Sequence, residues 1–149
     1  MLYIAADHAG HALKKYLTRY LEKQLKREFI DLGAKDYDKE DDFPDFAFLL
    51  GKKIAADPGS MGILICGSGQ GMAITANRHR GIRAALAWNE EVARLSREHN
   101  DANVLCLGAR FLTPELCQKI IQEFLQTPFA GGRHADRVAK IDAKIDAKG

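Results

Sequence analysis

Residues capable of chemistry are densest in the run Cys66-Gly67-Ser68-Gly69-Gln70-Gly71, where glycine occupies alternate positions. Such a run between an apolar segment and a helix start lets backbone N–H groups converge into a nest for negative charge. Cys66 lies at its mouth, where a helix N-terminus would favour the thiolate, so the sulfur could act as a base or a nucleophile. The other reading makes it a small apolar strand residue, the role expected of Cys106 and Cys117. Three familiar loops are excluded by counting. A dinucleotide fingerprint starting at Gly67 needs glycine where Met72 stands, a phosphate-binding P-loop does not end Gly71-Met72-Ala73, and a C-x5-R phosphatase loop needs arginine at Met72. The loop can hold an oxyanion or a phosphate, but it has no arginine to clamp a phosphoryl group in transfer.

Other chemically able residues follow apolar runs: Asp7, His8 and Gly10 early in the chain, Trp88 in the middle, and Gly108-Ala109-Arg110 later. Each alone reads as a turn residue; together they would line one edge of a sheet. His99 falls seven residues after Val92 and four after Leu95, on one apolar stripe. It is either a satisfied core histidine or an acid whose protonated form the end of its helix favours. Arg133 and Arg137 share a helix face beside His134 and could close on a phosphate, or they are a solvated charge run.

The elements that must position these groups are legible as an alternation of two periods. Strand-type runs are Leu2 to Ala6, Glu28 to Leu32, Met61 to Cys66, Ile82 to Ala87 and Val104 to Leu107. Between the first two, Leu13, Tyr16, Leu17, Tyr20 and Leu21 form one helical stripe, with Lys14, Lys15, Arg19 and Lys23 largely outside it. A second helix should start at Pro44 and stop near Asp57-Pro58-Gly59, and a third should follow Gly71. A fourth should run from Asn89 to about His99, and a fifth from Thr113-Pro114-Glu115 with Leu116, Ile120, Ile121, Phe124 and Leu125 buried. The pattern predicts a three-layer αβα sandwich around a five-stranded parallel sheet, because runs such as Ile63-Leu64-Ile65-Cys66 lack polar alternation. After Gly131-Gly132, a charged segment from Arg133 to Lys148 with Val138, Ile141 and Ile145 in helical register predicts a docking tail over about residues 131–149.

Composition bounds the partners. The 149 residues suit one domain, and 22 basic against 20 acidic residues leave a formal charge of +2, too little to hold nucleic acid or an anionic membrane. Neither a run of about 18 apolar residues nor the order of a signal peptide is present, so a cytoplasmic protein is expected. The odd set Cys66, Cys106 and Cys117 fits neither a disulfide framework nor the spacing of a zinc site.

Taken in order, Asp7-His8-Ala9-Gly10, the Cys66 to Gly71 loop, Ala76-Asn77, Gly81-Ile82-Arg83, Arg97-Glu98-His99-Asn100-Asp101-Ala102-Asn103 and Gly131-Gly132-Arg133-His134 resemble the type B ribose-5-phosphate isomerases over almost the whole chain. That superfamily also includes galactose-6-phosphate isomerase subunits. The resemblance implies a flavodoxin-like or Rossmann-like fold, a homodimer or dimer of dimers, a place in the pentose phosphate pathway, and no metal or cofactor.

Carried over by residue, it implies that Cys66 shuttles a proton between C1 and C2 of the open sugar. Ser68 and the backbone of Gly67, Gly69 and Gly71 would stabilise the enediolate oxygen. His99 would open the furanose ring with Asp7 as its counterpart, Asn100 would bind the sugar, and His8, Arg110, Arg133, His134 and Arg137 would surround the phosphate. In this family the site lies between subunits, which implies that His99 and Arg110 come from the neighbour. Some members place a glutamate base where this chain has Met72, and many have tyrosine where it has Phe43 before Pro44; Phe43 and His11 receive no role. A six-carbon substrate such as allose 6-phosphate or galactose 6-phosphate is an alternative, as is a non-catalytic module that binds an anion or a partner.

Overall fold

The computed structural model describes residues 1–146. Eleven elements alternate along the chain: β1 (Leu2–Ala6), α1 (His11–Lys23), β2 (Ile30–Asp31), α2 (Phe43–Ala56), β3 (Met61–Cys66), α3 (Gln70–Ala76), β4 (Ala84–Leu86), α4 (Glu90–Asn100), β5 (Val104–Gly108), α5 (Pro114–Gln126) and α6 (Arg133–Asp146). All strand pairs are parallel and their order is β2-β1-β3-β5-β4. The chain leaves β1 for β2 on one side and returns to β3 on the other. Strand order therefore reverses between β1 and β3, and in an open parallel sheet such a reversal is where a ligand binds beyond the carboxyl ends.

Helices cover both faces, as the unalternating strands require. Leu13, Leu17 and Leu21 of α1, Ala93 of α4, and Ile120, Ile121 and Phe124 of α5 pack on one face of the sheet. Ala47, Leu50 and Ile54 of α2 join Met72 and Ala76 of α3 on the other. The helix starts rest on the expected residues: Asn89 Oδ1 accepts the Val92 N–H at 2.8 Å, Thr113 Oγ1 accepts that of Leu116 at 3.2 Å, and Pro44 stands in the first turn of α2. Among the described residues no helix is long and apolar enough to cross a membrane.

Four local expectations change. The run from Glu28 to Leu32 is a strand only at Ile30 and Asp31, although the chain stays on β1 beyond it: the Leu32 N–H donates to the Ile4 carbonyl at 2.9 Å, and the Ala6 N–H donates to the Gly33 carbonyl at 2.8 Å. Lys14, expected outside the apolar stripe, is buried: its ammonium donates to Asp31 Oδ1 at 2.6 Å and to the Ala34 carbonyl at 2.7 Å, tying α1 to the end of β2. Tyr16, expected inside the stripe, is exposed, and its hydroxyl accepts from Gln118 Nε2 at 2.9 Å. Helix α3 begins at Gln70 and so takes Gly71 into its first turn. The terminal helix forms as expected through Asp146 and rests on α4; the remainder of the predicted tail, 147–149, and the side chain of Ile145 lie outside the described residues.

Candidate active site

Two groups of chemically able residues form within one protomer, and they stand apart. The first occupies the reversal between β1 and β3. Cys66 ends β3 with its side chain buried, and its sulfur accepts the Gly69 N–H at 3.1 Å. That bond fixes the sulfur at the start of the loop. It needs glycine at 69: φ there is 77°, and a Cβ would stand 2.5 Å from the Leu86 side chain and 3.0 Å from the Leu107 backbone. The Gln70 N–H points to Ser68 Oγ at 3.4 Å, so two of the loop's N–H groups are engaged within it. Phe43, at the start of α2, lays its ring against Gly71, where a Cβ would come within 2.8 Å. Met72 is fully buried in the core.

Asp7 ends β1 beside this loop, buried, with one carboxyl oxygen accepting the Gly10 N–H at 3.0 Å. Burial pushes its carboxyl pKa up, while the Gly10 N–H and the neighbouring His8 draw it down. The net shift is upward, which keeps a proton on Asp7 to higher pH than on a free carboxyl. His8 follows in the turn, with ring Nδ1 2.7 Å from Asp41 Oδ1. Gly108 and Arg110 complete the group from β5. The Arg110 N–H donates to the Gly67 carbonyl at 3.0 Å, and its guanidinium carbon would lie 3.1 Å from a Cβ on Gly67. Arg110 therefore rests on the Gly67 loop of its own chain, where the carbonyls of Cys66 and Gly67 pin its segment.

The second group lies at the other end of the sheet. Helix α4 starts beyond the carboxyl end of β4 and runs back for 11 residues, about 16 Å at 1.5 Å each, to finish beside the entry to β5. His99 and Asn100 thus stand near the amino ends of the strands, while Cys66 stands at the carboxyl ends. The core face of α4 is Ala93 and Ser96. The stripe of Val92, Leu95 and His99 exists, but it flanks the inward face of Ala93 and Ser96: Val92 packs partly buried against the core, and the stripe leaves the core toward His99. Val92 and Leu95 line a groove with Leu86 and Ile141, and His99 is exposed. The core reading of His99 falls.

Instead, the His99 ring stacks on His134 of α6, with centroids 4.3 Å apart and planes 10° from parallel. A cavity of about 260 Å³ beside them is lined by His99, Asn100, His134, Arg137, Val138 and Ile141. Desolvation, then the charges of His99, Arg133 and Arg137, lower the His134 pKa. Arg133 is exposed one helical turn before Arg137. Sequence spacing grouped Arg133, His134 and Arg137, but it did not bring His99 to them and carried no sign that the group lies away from the thiol. It also missed Asp41, which nothing local separates from Asp36, Asp38, Asp42 or Asp45.

A buried thiol at the end of β3 and a buried carboxyl just after β1, at the switch point of a doubly wound sheet, define an α/β protein with a small-molecule site at the carboxyl edge. A family model described as Ribose/Galactose Isomerase matches residues 2–141, and the chain belongs to that family. A Mycoplasma pneumoniae protein described as a probable ribose-5-phosphate isomerase B is 52% identical over 142 residues, covering 95% of this chain and 93% of that protein. The Mycobacterium tuberculosis ribose-5-phosphate isomerase B is 43% identical over 145 residues, covering 97% of this chain and 89% of its own length. Among solved structures, the Mycoplasma genitalium ribose-5-phosphate isomerase B with bound ribulose-5-phosphate superposes with a TM-score of 0.91 at 44% identity, covering 97% of this chain and 95% of that one. The Clostridium thermocellum ribose-5-phosphate isomerase B gives 0.94 at 40% identity, with 99% of both chains covered.

Proposed function

We propose that this chain interconverts D-ribose 5-phosphate and D-ribulose 5-phosphate by opening the sugar ring and moving a proton between C1 and C2 through a cis-enediol. The observation that carries the reading is the convergence of Cys66, Ser68 and Asp7 at the switch point, in a chain 44% identical to a structure that holds ribulose-5-phosphate. Cys66, as thiolate, takes the C2 hydrogen of the open aldose and returns it to C1. The charge that develops on the substrate oxygen meets Ser68 and the backbone of Gly67, Gly69 and Gly71. With Met72 unable to ionise, the thiol is the base of this loop. Asp7, whose burial makes it hold a proton more tightly than a free carboxyl does, exchanges one with the ring oxygen or a hydroxyl.

Ring opening and phosphate binding then require the second group, and a homodimer supplies it. His99 as ring-opening acid, Asn100 on the sugar, and Arg133, His134 and Arg137 at the phosphate come from one subunit to complete the Asp7, His8, Cys66 and Arg110 site of the other. Two features support the sharing. The groups stand at opposite ends of one protomer's sheet, and large apolar side chains around the carboxyl edge, Ile74, Trp88 and Phe111, are exposed. Arginines that meet a phosphate dianion make charge-assisted bonds. Arg133→Ala with Arg137→Ala should therefore raise KM at least tenfold while the thermal midpoint stays near that of the parent, measured by initial rates and calorimetry.

The family spans ribose and galactose phosphates, so the substrate is tested directly. A coupled assay on the purified protein in the presence of a chelator should give turnover with ribose 5-phosphate at least tenfold above that with allose 6-phosphate or galactose 6-phosphate. A reversed ratio assigns the protein to six-carbon substrates. No turnover on any of them leaves an anion-binding module.

A further inference from the structure

The residue that holds His8 stands 33 positions along the chain, in the connection between β2 and α2. Asp41 Oδ1 accepts the His8 backbone N–H at 2.8 Å and meets ring Nδ1 at 2.7 Å. An ionised carboxylate only accepts, so Nδ1 carries a proton. The ring then has one nitrogen left, and that nitrogen has two states: Nε2 is bare when His8 is neutral and a donor when it is an imidazolium. A phosphate oxygen needs a donor. Asp41 is largely buried and its second oxygen, Oδ2, is buried with no hydrogen-bond partner among the described residues, so the carboxylate has no other side chain to hold.

We infer that Asp41 is the positioning residue of the phosphate site: it fixes His8 with Nδ1 protonated, so that His8 binds the substrate phosphate only as an imidazolium, through Nε2. The inference rests on the reading of His8 as a phosphate ligand. The groups facing His8 are Asp7 at the end of β1 and Asp41 and Tyr37 from the β2–α2 connection, the Tyr37 ring meeting His8 edge-on at 6.5 Å. His11 of α1 meets the same tyrosine at 6.2 Å. The hydrogen bond from Asp41 raises the His8 pKa, partial burial opposes it, and the charges of Asp7 and Asp41 add to the rise. Phosphate binding is then strong below the His8 pKa and weakens as pH rises through it.

The test compares the parent with Asp41→Asn, His8→Gln and the double variant. KM for ribose 5-phosphate and inhibition by inorganic phosphate are followed from about pH 6 to pH 9, with ¹⁵N NMR of the His8 ring. Asparagine keeps the shape and an acceptor for both N–H groups but removes the charge. Asp41→Asn should raise KM about tenfold at neutral pH, change kcat by less than about twofold, and move both the KM profile and the NMR midpoint of His8 to lower pH. In the His8→Gln background it should add less than about twofold to KM. An unshifted NMR midpoint in Asp41→Asn, or a full effect of that substitution without His8, overturns the inference alone. An unchanged KM and unchanged phosphate inhibition in His8→Gln removes His8 from the phosphate site, and the inference goes with that reading.

Discussion

Cys66→Ala is expected to abolish exchange of the ribulose 5-phosphate C1 hydrogen with solvent while sugar phosphate still binds. The proton must leave carbon, and no other ionisable side chain belongs to the Cys66 to Gly71 loop. A positioned base contributes roughly 10²- to 10⁴-fold, so conversion should fall by at least the lower figure. Binding survives because the phosphate groups, His8 and the arginines, are separate residues from the thiol. The other cysteines supply the control. Both are fully buried, Cys106 in β5 and Cys117 in α5, and burial pushes both thiols up, Cys117 to about 11. They stay protonated and inert near neutral pH, so Cys117→Ala should leave kcat within about twofold. Exchange that persists at the parental rate in Cys66→Ala, followed by deuterium incorporation, would end the thiol mechanism.

The parts of this molecule that could be read from sequence are those that local period decides. Helices α1, α2, α4 and α5 and strands β1, β3 and β5 are long enough for an apolar stripe or an unbroken apolar run to declare them. Strand β2 was placed by its run, but not its two-residue length, and Lys14 holds its end through Asp31, a contact between residues 17 apart in sequence. The same pair explains Lys14: a lysine reads as surface until a carboxylate and a carbonyl from another element close on its ammonium. His99 lay on a real stripe, but period alone cannot say which neighbour a stripe faces, and α6 competes with the sheet for it. The glycine loop was legible because positive φ and close approach select glycine locally, as at Gly69. Asp41 was not, since its role is set entirely by the distant His8.

Mixing inactive Cys66→Ala protein with inactive His99→Asn protein should restore activity once subunits exchange. Within one protomer the thiol stands at the carboxyl end of β3 and His99 near the amino end of β5, so a single chain cannot bring both to one sugar. A side chain as long as histidine does not bridge that gap, and the His134 ring stacked on it at 4.3 Å holds it away. If each site takes its thiol from one subunit and its acid from the other, a heterodimer carries one intact site and one doubly damaged site. Random exchange of equal amounts makes half of the dimers mixed, and each mixed dimer has one working site of two. The mixture should then reach about a quarter of the parental rate, whereas each variant alone should fall at least about 10²-fold below it. Arg110 sharpens the assignment, since it rests on its own protomer's Gly67. An Arg110→Ala, Cys66→Ala double variant mixed with His99→Asn should be rescued as well, because both lesions fall in the same site. Failure of the first mixture, with exchange verified by native mass spectrometry, would place Cys66 and His99 in one subunit's site and require a rearrangement of α4 and α6 that brings His99 around to the other end of the sheet.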